Sequence, residues 1–283
     1  MLASSRCCRY CFGLSQITDM PSPHSAVELP PVNLSEHEGV RYLHLGTPWV
    51  QGAMRLQSPQ HIELEYVQRM LACLLWLPRD ILDSGSQSQA VQLGLGAATI
   101  TRFTVNALGF RTRVVELNPQ VVTACKLWFA LPPAEKGLSV EIQDAGEWVQ
   151  QPQWAQSTHI LHVDLYDHDA AAPVLDDEVF YAHCRRMLVP GGVMAVNLFG
   201  RHASFERSVQ RIASAFGASQ VWRMQATREG NTVVIAGRDV VVPAREVLIE
   251  RAAHIEQRFA ANGLPAHKWL RMVRSALPGE TQA

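Results

Sequence analysis

The sequence predicts an α/β protein with a seven-stranded, mostly parallel sheet and helices on both faces. Short apolar runs alternate with helical segments from Ala90 to Phe216, which is typical of repeated βα units. The first unit places a glycine turn, Gly94-Leu95-Gly96, between its strand and its helix. Two further strands on either side of residues 228–231 end the sheet in an antiparallel hairpin.

The length and composition of the chain fit one such core with additional parts at both ends. It has 283 residues, of which 47% are hydrophobic and 18% charged, enough to bury a complete α/β core. We expect a disordered leader and arm, a small N-terminal β-hairpin element, the main domain and two C-terminal helices, spanning residues 1–35, 36–60, 61–243 and 244–283 respectively.

The N-terminal element is predicted from two runs of strand-forming residues, 41–45 and 49–56. A Gly-Thr-Pro turn sequence at 46–48 separates them. Apolar residues then recur at helical spacing over 62–77. Tyr66 is therefore expected on or just before a helix that packs over the sheet.

The elements of the main domain are predicted in order from the period of their apolar residues. The predicted strands are 90–93, 114–116, 138–143, 159–165, 193–197, 220–226 and 232–237. The predicted helices are 98–108, 119–129, 176–188 and 203–216, with Pro119 well suited to a first helical turn.

Charge and hydropathy favour a soluble, cytoplasmic protein that acts on a small molecule. The net charge of -1 and the pI near 6.8 give no basic face for nucleic acid, and no apolar run approaches the 18 or more residues that span a bilayer. Cys73, Cys125 and Cys184 lie on predicted buried helices, as thiols do in a reducing compartment. Cys8 and Cys11 have the spacing of half a zinc site, but no second pair follows, so we expect no metal.

The turn and the strand ends predict a nucleoside site. Gly94 and Gly96 allow a tight turn close to a ligand, and Glu116 ends the second strand about 20 residues further on, where an acid binds ribose hydroxyls. Thr99 stands where a third glycine would admit a diphosphate, so a ligand without one fits better. The alternative is an ordinary βαβ unit with no ligand.

Several motifs make the sequence resemble the spermidine synthase family, on the Rossmann-like fold of class I S-adenosylmethionine-dependent methyltransferases. The resemblance spans roughly Tyr42 to Arg238. LGLGAAT is similar to a family run of glycines interrupted by one aspartate, whose place Ala97 takes. Three further motifs carry the resemblance. They are an acidic pair followed by a tyrosine (Glu63, Glu65 and Tyr66), two aspartates after the fourth strand (Asp164 and Asp167), and a Phe-Tyr pair (Phe180 and Tyr181).

The resemblance implies transfer of an aminopropyl group from decarboxylated S-adenosylmethionine to an amine such as putrescine, by a homodimer. It implies that Asp164, Asp167 and Tyr66 are catalytic and hold the amine. It also implies cofactor contacts for Gly94, Gly96, Glu116 and Asp144, and for a glutamine that is either Gln51 or Gln57. Asp144 follows the third strand, where an acid lies near the adenine amino group in this fold, and it is equally suited to cap a helix.

The chemistry of aminopropyl transfer explains a carboxylate after the fourth strand. An alkylamine, with a pKa of about 10, is mostly protonated at neutral pH and must lose a proton before it attacks the carbon beside the sulfonium. A carboxylate such as Asp164 can orient the ammonium, and a dry pocket lowers the ammonium's pKa. The alternative for Asp164 is a loop or helix-capping acid.

The sequence also permits two other hypotheses about function. A methyltransferase that uses intact S-adenosylmethionine is favoured by Ala97, because the missing aspartate removes an anchor for the aminopropyl ammonium. The other is a non-catalytic relative that binds a nucleoside or only a partner chain. Retention of Glu116 argues against complete loss of binding.

Overall fold

The computed structural model describes residues 29–165, 175–199 and 203–277. Within these ranges the chain forms a three-stranded N-terminal sheet and an eight-stranded main sheet. No helix in this part of the chain is long and apolar enough to cross a membrane.

The N-terminal sheet is antiparallel, with the strand order β1-β2-β3, formed by β1 (Val32–His37), β2 (Val40–Leu45) and β3 (Gly52–Arg55). The predicted hairpin corresponds to β2 and β3, although β3 begins three residues later than expected. The expectation of a disordered arm through residue 35 is wrong for residues 32–35, which pair with β2. Residues 1–28 of the expected leader lie outside the described ranges.

A two-residue turn explains why this first strand forms. Glu38 and Gly39 both have positive φ, 48° and 74°, as the central residues of a type I′ hairpin turn do. This turn matches the twist of the two strands and sets the register His37↔Val40. The Glu-Gly pair was the available sequence signal for a third strand.

The main sheet has the strand order β11-β9-β10-β8-β7-β4-β5-β6. Strands β4 to β8 pair in parallel, and the last three pair antiparallel. The strands are β4 (Gln89–Leu93), β5 (Arg111–Glu116), β6 (Leu138–Ile142), β7 (Thr158–Val163), β8 (Leu188–Phe199), β9 (Val221–Met224), β10 (Asn231–Gly237) and β11 (Val273–Ser275). This order brings the carboxyl ends of β5, β4, β7 and β8 side by side at one edge.

Helices cover both faces of the main sheet. They are α1 (Glu65–Met70), α2 (Arg79–Leu82), α3 (Thr99–Arg102), α4 (Pro119–Trp128), α5 (Ala145–Trp148), α6 (Glu178–Met187), α7 (Ala203–Phe216), α8 (Arg245–Arg258) and α9 (Ala266–Met272). One face packs against the segment after α1 and the C-terminal helices, and the other packs against α5, α6 and α7. Neighbouring strand residues alternate between the two cores, as Ala90 and Val91 do.

Three elements differ from their predictions in a way that periodicity could not show. The helix expected over 62–77 is α1 followed by a 3₁₀ segment, Leu71–Trp76, and the helix expected over 98–108 is α3 followed by a π segment, Phe103–Ala107. The sheet also has eight strands rather than seven, because residues of the predicted C-terminal helical region form β11 against β9. A three-residue strand is too short to give a recognisable alternation.

His162 on β7 lies in the centre of the sheet with no exposed surface. Its Nε2 contacts Cys73 Sγ at 3.9 Å, and its Nδ1 has no hydrogen-bond partner among the described residues. Burial lowers the pKa of His162 to about 3. The imidazole is therefore neutral in the folded protein at any pH near neutrality.

The first prediction concerns stability at low pH. Since the unfolded histidine has a pKa of about 6.5, only the unfolded state gains this proton between pH 6.5 and about 3, so the folded state loses stability as the pH falls. His162 should contribute a slope of up to about 1.4 kcal/mol per pH unit to the free energy of unfolding. Urea unfolding of His162→Leu between pH 6.5 and 4 should show a shallower slope. The exposed His37→Leu control should keep the parent slope, and equal slopes for all three proteins would contradict the assignment.

Candidate active site

Two cavities lie side by side at the carboxyl ends of the parallel strands. The first has a volume of about 130 Å³ and is lined by residues that include Gln51, Gly94, Gly96, Glu116, Asp144 and Asp164. The second, of about 490 Å³, is lined by residues that include Gln51, Glu63, Glu65, Tyr66, Asp164 and Glu229. Gln51 and Asp164 line both cavities, so the two cavities share the wall that these residues form.

The glycine turn after β4 is required by close backbone contacts. Gly94 has φ +85°, and a Cβ at this position would lie 2.2 Å from the carbonyl oxygen of Asp164. Gly96 has φ +51°, and its Cβ would lie 3.2 Å from the carbonyl oxygen of Gln51. Glycine tolerates both the left-handed conformation and the approach of a second chain segment. The turn therefore brings Gln51 and Asp164 to the same cavity.

Glu116, at the end of β5, is held in place by the backbone. Its Oε2 accepts the Leu95 N–H at 2.8 Å, and its Oε1 accepts the Asn118 N–H at 2.8 Å. Burial raises the pKa of this carboxyl group, although hydrogen bonds from the backbone of Asn118, Leu95 and Leu117 oppose the shift. Each carboxylate oxygen has a second lone pair for a ligand hydroxyl. Glu116, which the spacing from the glycine turn predicts as a site residue, therefore contacts that turn directly through Leu95.

Asp144 both caps a helix and lines the first cavity. Its Oδ1 accepts the Glu147 N–H at 3.0 Å at the start of α5. The helix-capping alternative is therefore confirmed, and the other carboxylate oxygen is left for the cavity. The side chain lies at the end of β6, two strands from the glycine turn.

The structure separates the two candidate glutamines. Gln51 precedes β3 and lines both cavities, and its carbonyl oxygen lies 3.4 Å from the Tyr66 hydroxyl oxygen. Gln57 is exposed on the turn after β3 and is not among the residues that line either cavity. The geometry therefore favours Gln51 and does not bring Gln57 to the site.

Asp164 follows β7 and lies where the two cavities meet. Its Oδ1 accepts a hydrogen bond from Asn197 Nδ2 at 2.9 Å, and the Tyr66 hydroxyl donates a second bond to the carboxylate. Burial raises the pKa of Asp164, and both bonds oppose that rise. Asn197 Oδ1 in turn accepts from Asn231 Nδ2 at 3.1 Å. A chain of polar side chains from β8 and β10 therefore fixes the orientation of the carboxylate.

Further carboxylates line the second cavity, and two of them have basic partners. Glu63 receives a bidentate bond from Arg55 at 2.7 to 3.0 Å, and Glu65 pairs with Arg69 at 2.6 Å. Glu229, on the turn between β9 and β10, is exposed and makes no ion pair with the described residues. No lysine, arginine or histidine is among the described residues that line this cavity. Its field is therefore negative.

Ala97, at the position of the family aspartate, faces away from both cavities. A Cβ added to Gly52 on β3 would lie 2.5 Å from the Ala97 methyl, and Ala97 belongs to an apolar cluster with Leu43 and Met54. The residue is 2% exposed and lines neither cavity. Its methyl group supports β3 and makes no contribution to the charge of the site.

The sequence reasoning missed Asn197, Asn231 and Glu229. Asn197 is near the carboxyl end of β8, so the rule that ligand-binding residues follow parallel strands would have selected it if applied to the fifth strand of the predicted sheet. Asn231 and Glu229 belong to the predicted hairpin turn, where the sequence pattern indicates a turn and gives no sign of a ligand contact. Asp167 lies outside the described residues. In the described part of the chain, no group of three or more histidine, cysteine, aspartate or glutamate side chains could hold a metal ion.

Comparison with known proteins identifies the family. No family model matches the sequence. A polyamine aminopropyltransferase of Chromobacterium violaceum is 31% identical over 237 residues, which cover 83% of this chain and 87% of the relative. The chain belongs to the polyamine aminopropyltransferase family. A family member from Neisseria meningitidis is 27% identical over 253 residues, 88% of this chain and 91% of its own.

Solved structures confirm the fold predicted for this aminopropyltransferase. A probable spermidine synthase from Corynebacterium glutamicum superposes with a TM-score of 0.64 at 20% identity, covering 89% of this chain and 94% of its own. Human methyltransferase-like protein 13, in complex with SAH, gives 0.60 at 17% identity, covering 70% and 93%. These structures confirm the α/β sheet of the class I methyltransferase-like fold. The assignment as a transferase is confirmed by the family membership that the Chromobacterium violaceum relative shows.

Proposed function

We propose that this aminopropyltransferase moves the aminopropyl group of decarboxylated S-adenosylmethionine to a small amine such as putrescine. The observation that supports the proposal best is the position of Asp164. Its carboxylate lies between a cavity with a nucleoside-type glycine turn and a cavity of negative charge. A group at this junction contacts both reactants. The homodimer, the cytoplasmic location and the absence of nucleic-acid, membrane and metal partners stay predictions.

The first cavity suits the adenosine part of the cofactor. Glu116 offers its free lone pairs to the two ribose hydroxyls, in charge-assisted bonds. Asp144, at the end of the adjacent strand β6, offers the carboxylate oxygen that does not cap α5 to the adenine amino group. Gly94 and Gly96 allow the backbone to approach the ligand. Gln51, which lines both cavities, is proposed to contact the nucleoside.

The second cavity suits the amine. Its negative field attracts an alkylammonium ion and excludes anions. Asp164 and Tyr66 hold the attacking nitrogen, and Asp167 is proposed to assist them. Glu229, which makes no ion pair with the described residues, contributes further negative charge.

The transfer balances in atoms and charge with these groups. The ammonium loses one proton, and Asp164, whose pKa is raised by burial, is the proposed acceptor. The free amine attacks the carbon beside the sulfonium, a C–N bond forms and the C–S bond breaks with its electron pair on sulfur. The products are an aminopropylated ammonium ion, whose nitrogen carries the positive charge that the sulfonium had, and the neutral thioether 5′-methylthioadenosine. The proton on Asp164 then passes to solvent.

The second prediction tests the nucleoside contact of Glu116. Charge-assisted bonds in a buried site contribute on the order of 1.5–3 kcal/mol each, so Glu116→Ala should weaken 5′-methylthioadenosine binding by roughly tenfold or more. Calorimetric titration measures this, with Glu116→Gln expected between the parent and Glu116→Ala. The exposed Glu246→Ala on α8 is the matched control. If all variants bind the thioether equally, the nucleoside assignment is wrong.

The third prediction separates binding from chemistry at Asp164. Asp164→Asn keeps the shape of the side chain and removes the base, so cofactor affinity should persist while turnover falls on the order of 10²–10⁴-fold. The exposed Asp80→Asn on α2 provides the control and should leave both quantities unchanged. An unchanged rate for Asp164→Asn on the most active amine would assign a purely structural role to Asp164.

The fourth prediction decides between aminopropyl transfer and methyl transfer. Ala97 favours methyl transfer at the level of sequence, but the carboxylates of Asp164 and Glu229, which have no basic partner among the described residues, give the second cavity a negative charge that repels the carboxylate of intact S-adenosylmethionine. The parent protein should therefore bind the decarboxylated cofactor about tenfold or more tightly, a difference of about 1.4 kcal/mol. Competition against labelled 5′-methylthioadenosine measures both affinities. Tighter binding of the intact cofactor would support the methyltransferase alternative.

A further inference from the structure

A third cavity, of about 470 Å³, shares no lining residue with the two cavities of the proposed active site. The turn after β3, the segment that begins with α3 and the end of α8 surround it. Its charged and amide side chains are Gln60, Arg102, Asn106, Arg258 and Asn262. No acidic side chain is among the described residues that line it. This cavity therefore has the opposite electrostatic character from the amine cavity.

Arg102, at the end of α3, is a buried cation without a carboxylate partner among the described residues. It is 5% exposed, and burial lowers its pKa to about 10. Its guanidinium donates to three carbonyl oxygens and one hydroxyl, namely Pro59 O at 3.1 Å, Ala97 O at 2.7 Å, Phe129 O at 2.6 Å and Thr99 Oγ1 at 3.2 Å. Four of its five N–H donors are thereby used. One Nη2 hydrogen is left for another acceptor.

The energetics of such a group point to an anion. A buried charge is costly unless it has a counter-charge, and carbonyl dipoles satisfy hydrogen bonds without supplying one. The cavity gives a counter-ion access to Arg102 from outside. An anion bound there would balance the charge and accept the remaining hydrogen.

Arg258 supplies a second cation to the same wall. Its Nη1 contacts Leu82 O at 2.6 Å and the carboxylate of Asp83. Arg79 and His254 also contact the Asp83 carboxylate, so this one acid serves several basic groups. The Nη2 of Arg258 makes no hydrogen bond within the described ranges. The local charge therefore stays positive.

Asn106 adds an amide donor and a link to a third cation. Its Oδ1 accepts Lys136 Nζ at 3.2 Å. This bond orients the amide so that the nitrogen is the donor available to a ligand. Asn106 is exposed at the opening of the cavity, where an incoming anion first meets it.

We propose that this cavity binds a phosphate group, held between the Arg102 and Arg258 guanidinium groups and the Asn106 amide. Arginine forks match the oxygens of phosphate, and the double negative charge of phosphate suits a cavity that is lined by two cations. The volume of about 470 Å³ exceeds that of one phosphate. The cavity can therefore hold free phosphate, and it also has room for the rest of a small phosphomonoester. The site is separate from the amine and nucleoside cavities. Arg102 also donates to the carbonyl of Ala97, which couples the phosphate site to the glycine turn.

Calorimetric titration of the full-length protein at low ionic strength tests the proposal. The probes are inorganic phosphate and glucose 6-phosphate, with chloride as the reference anion. Saturable binding that weakens as salt is added is expected. Tighter binding of the sugar phosphate would identify a phosphomonoester site, and equal binding a site for free phosphate. The absence of saturable binding by both probes would overturn the proposal.

Two variants locate the binding, and a third serves as the control. Arg258→Gln should weaken phosphate binding at least fivefold, and Asn106→Asp should weaken it more because it adds a like charge. The control is Arg245→Gln, an exposed arginine on the same helix that does not line the cavity. Thermal unfolding checks that each variant is folded. Equal phosphate affinity in Arg258→Gln, Asn106→Asp and the parent would place the anion elsewhere and overturn the proposal.

Discussion

The contact between the glycine turn and the end of β7 determines the geometry of the site. Asp164 N donates to Leu93 O at 3.0 Å, and the Asp164 carbonyl then passes so close to Gly94 that no side chain fits there. This backbone contact places the carboxylate of Asp164 directly beside the turn. The two cavities share a wall because of it. A larger residue at position 94 would separate the turn from Asp164 before it altered any ligand contact.

Hydrogen bonds from elements far apart in the sequence then fix the side chain of Asp164. Tyr66 comes from α1, Asn197 from β8 and Asn231 from β10. Because these donors are neutral, they orient the carboxylate without neutralising its charge. The arginines in this region, Arg55 and Arg69, form ion pairs with Glu63 and Glu65 instead. The negative charge at the junction is therefore retained for a cationic substrate.

Much of the fold and part of the site followed from local sequence patterns. Repeated βα periods gave the parallel sheet, and the glycine turn with Glu116 gave one wall of the first cavity. The strand β1 was missed because its residues are almost all exposed and show no buried alternation. Asn231 and Glu229 were missed because they reach the site only through the pairing of β10 with β8, whereas Asn197 could be selected from its place near the end of a parallel strand. Gln51 and Gln57 could be separated only by the path of the chain before and after β3.

The packing of β3 on the glycine turn links two positions that are 45 residues apart in the sequence. Gly52 leaves space for one methyl group, which Ala97 supplies. A relative with a longer side chain at position 97 must shift β3, and with it Gln51 and the roof of the first cavity. A change of side-chain size at position 52 or 97 therefore requires a compensating change at the other, and homologous sequences should vary at the two positions together.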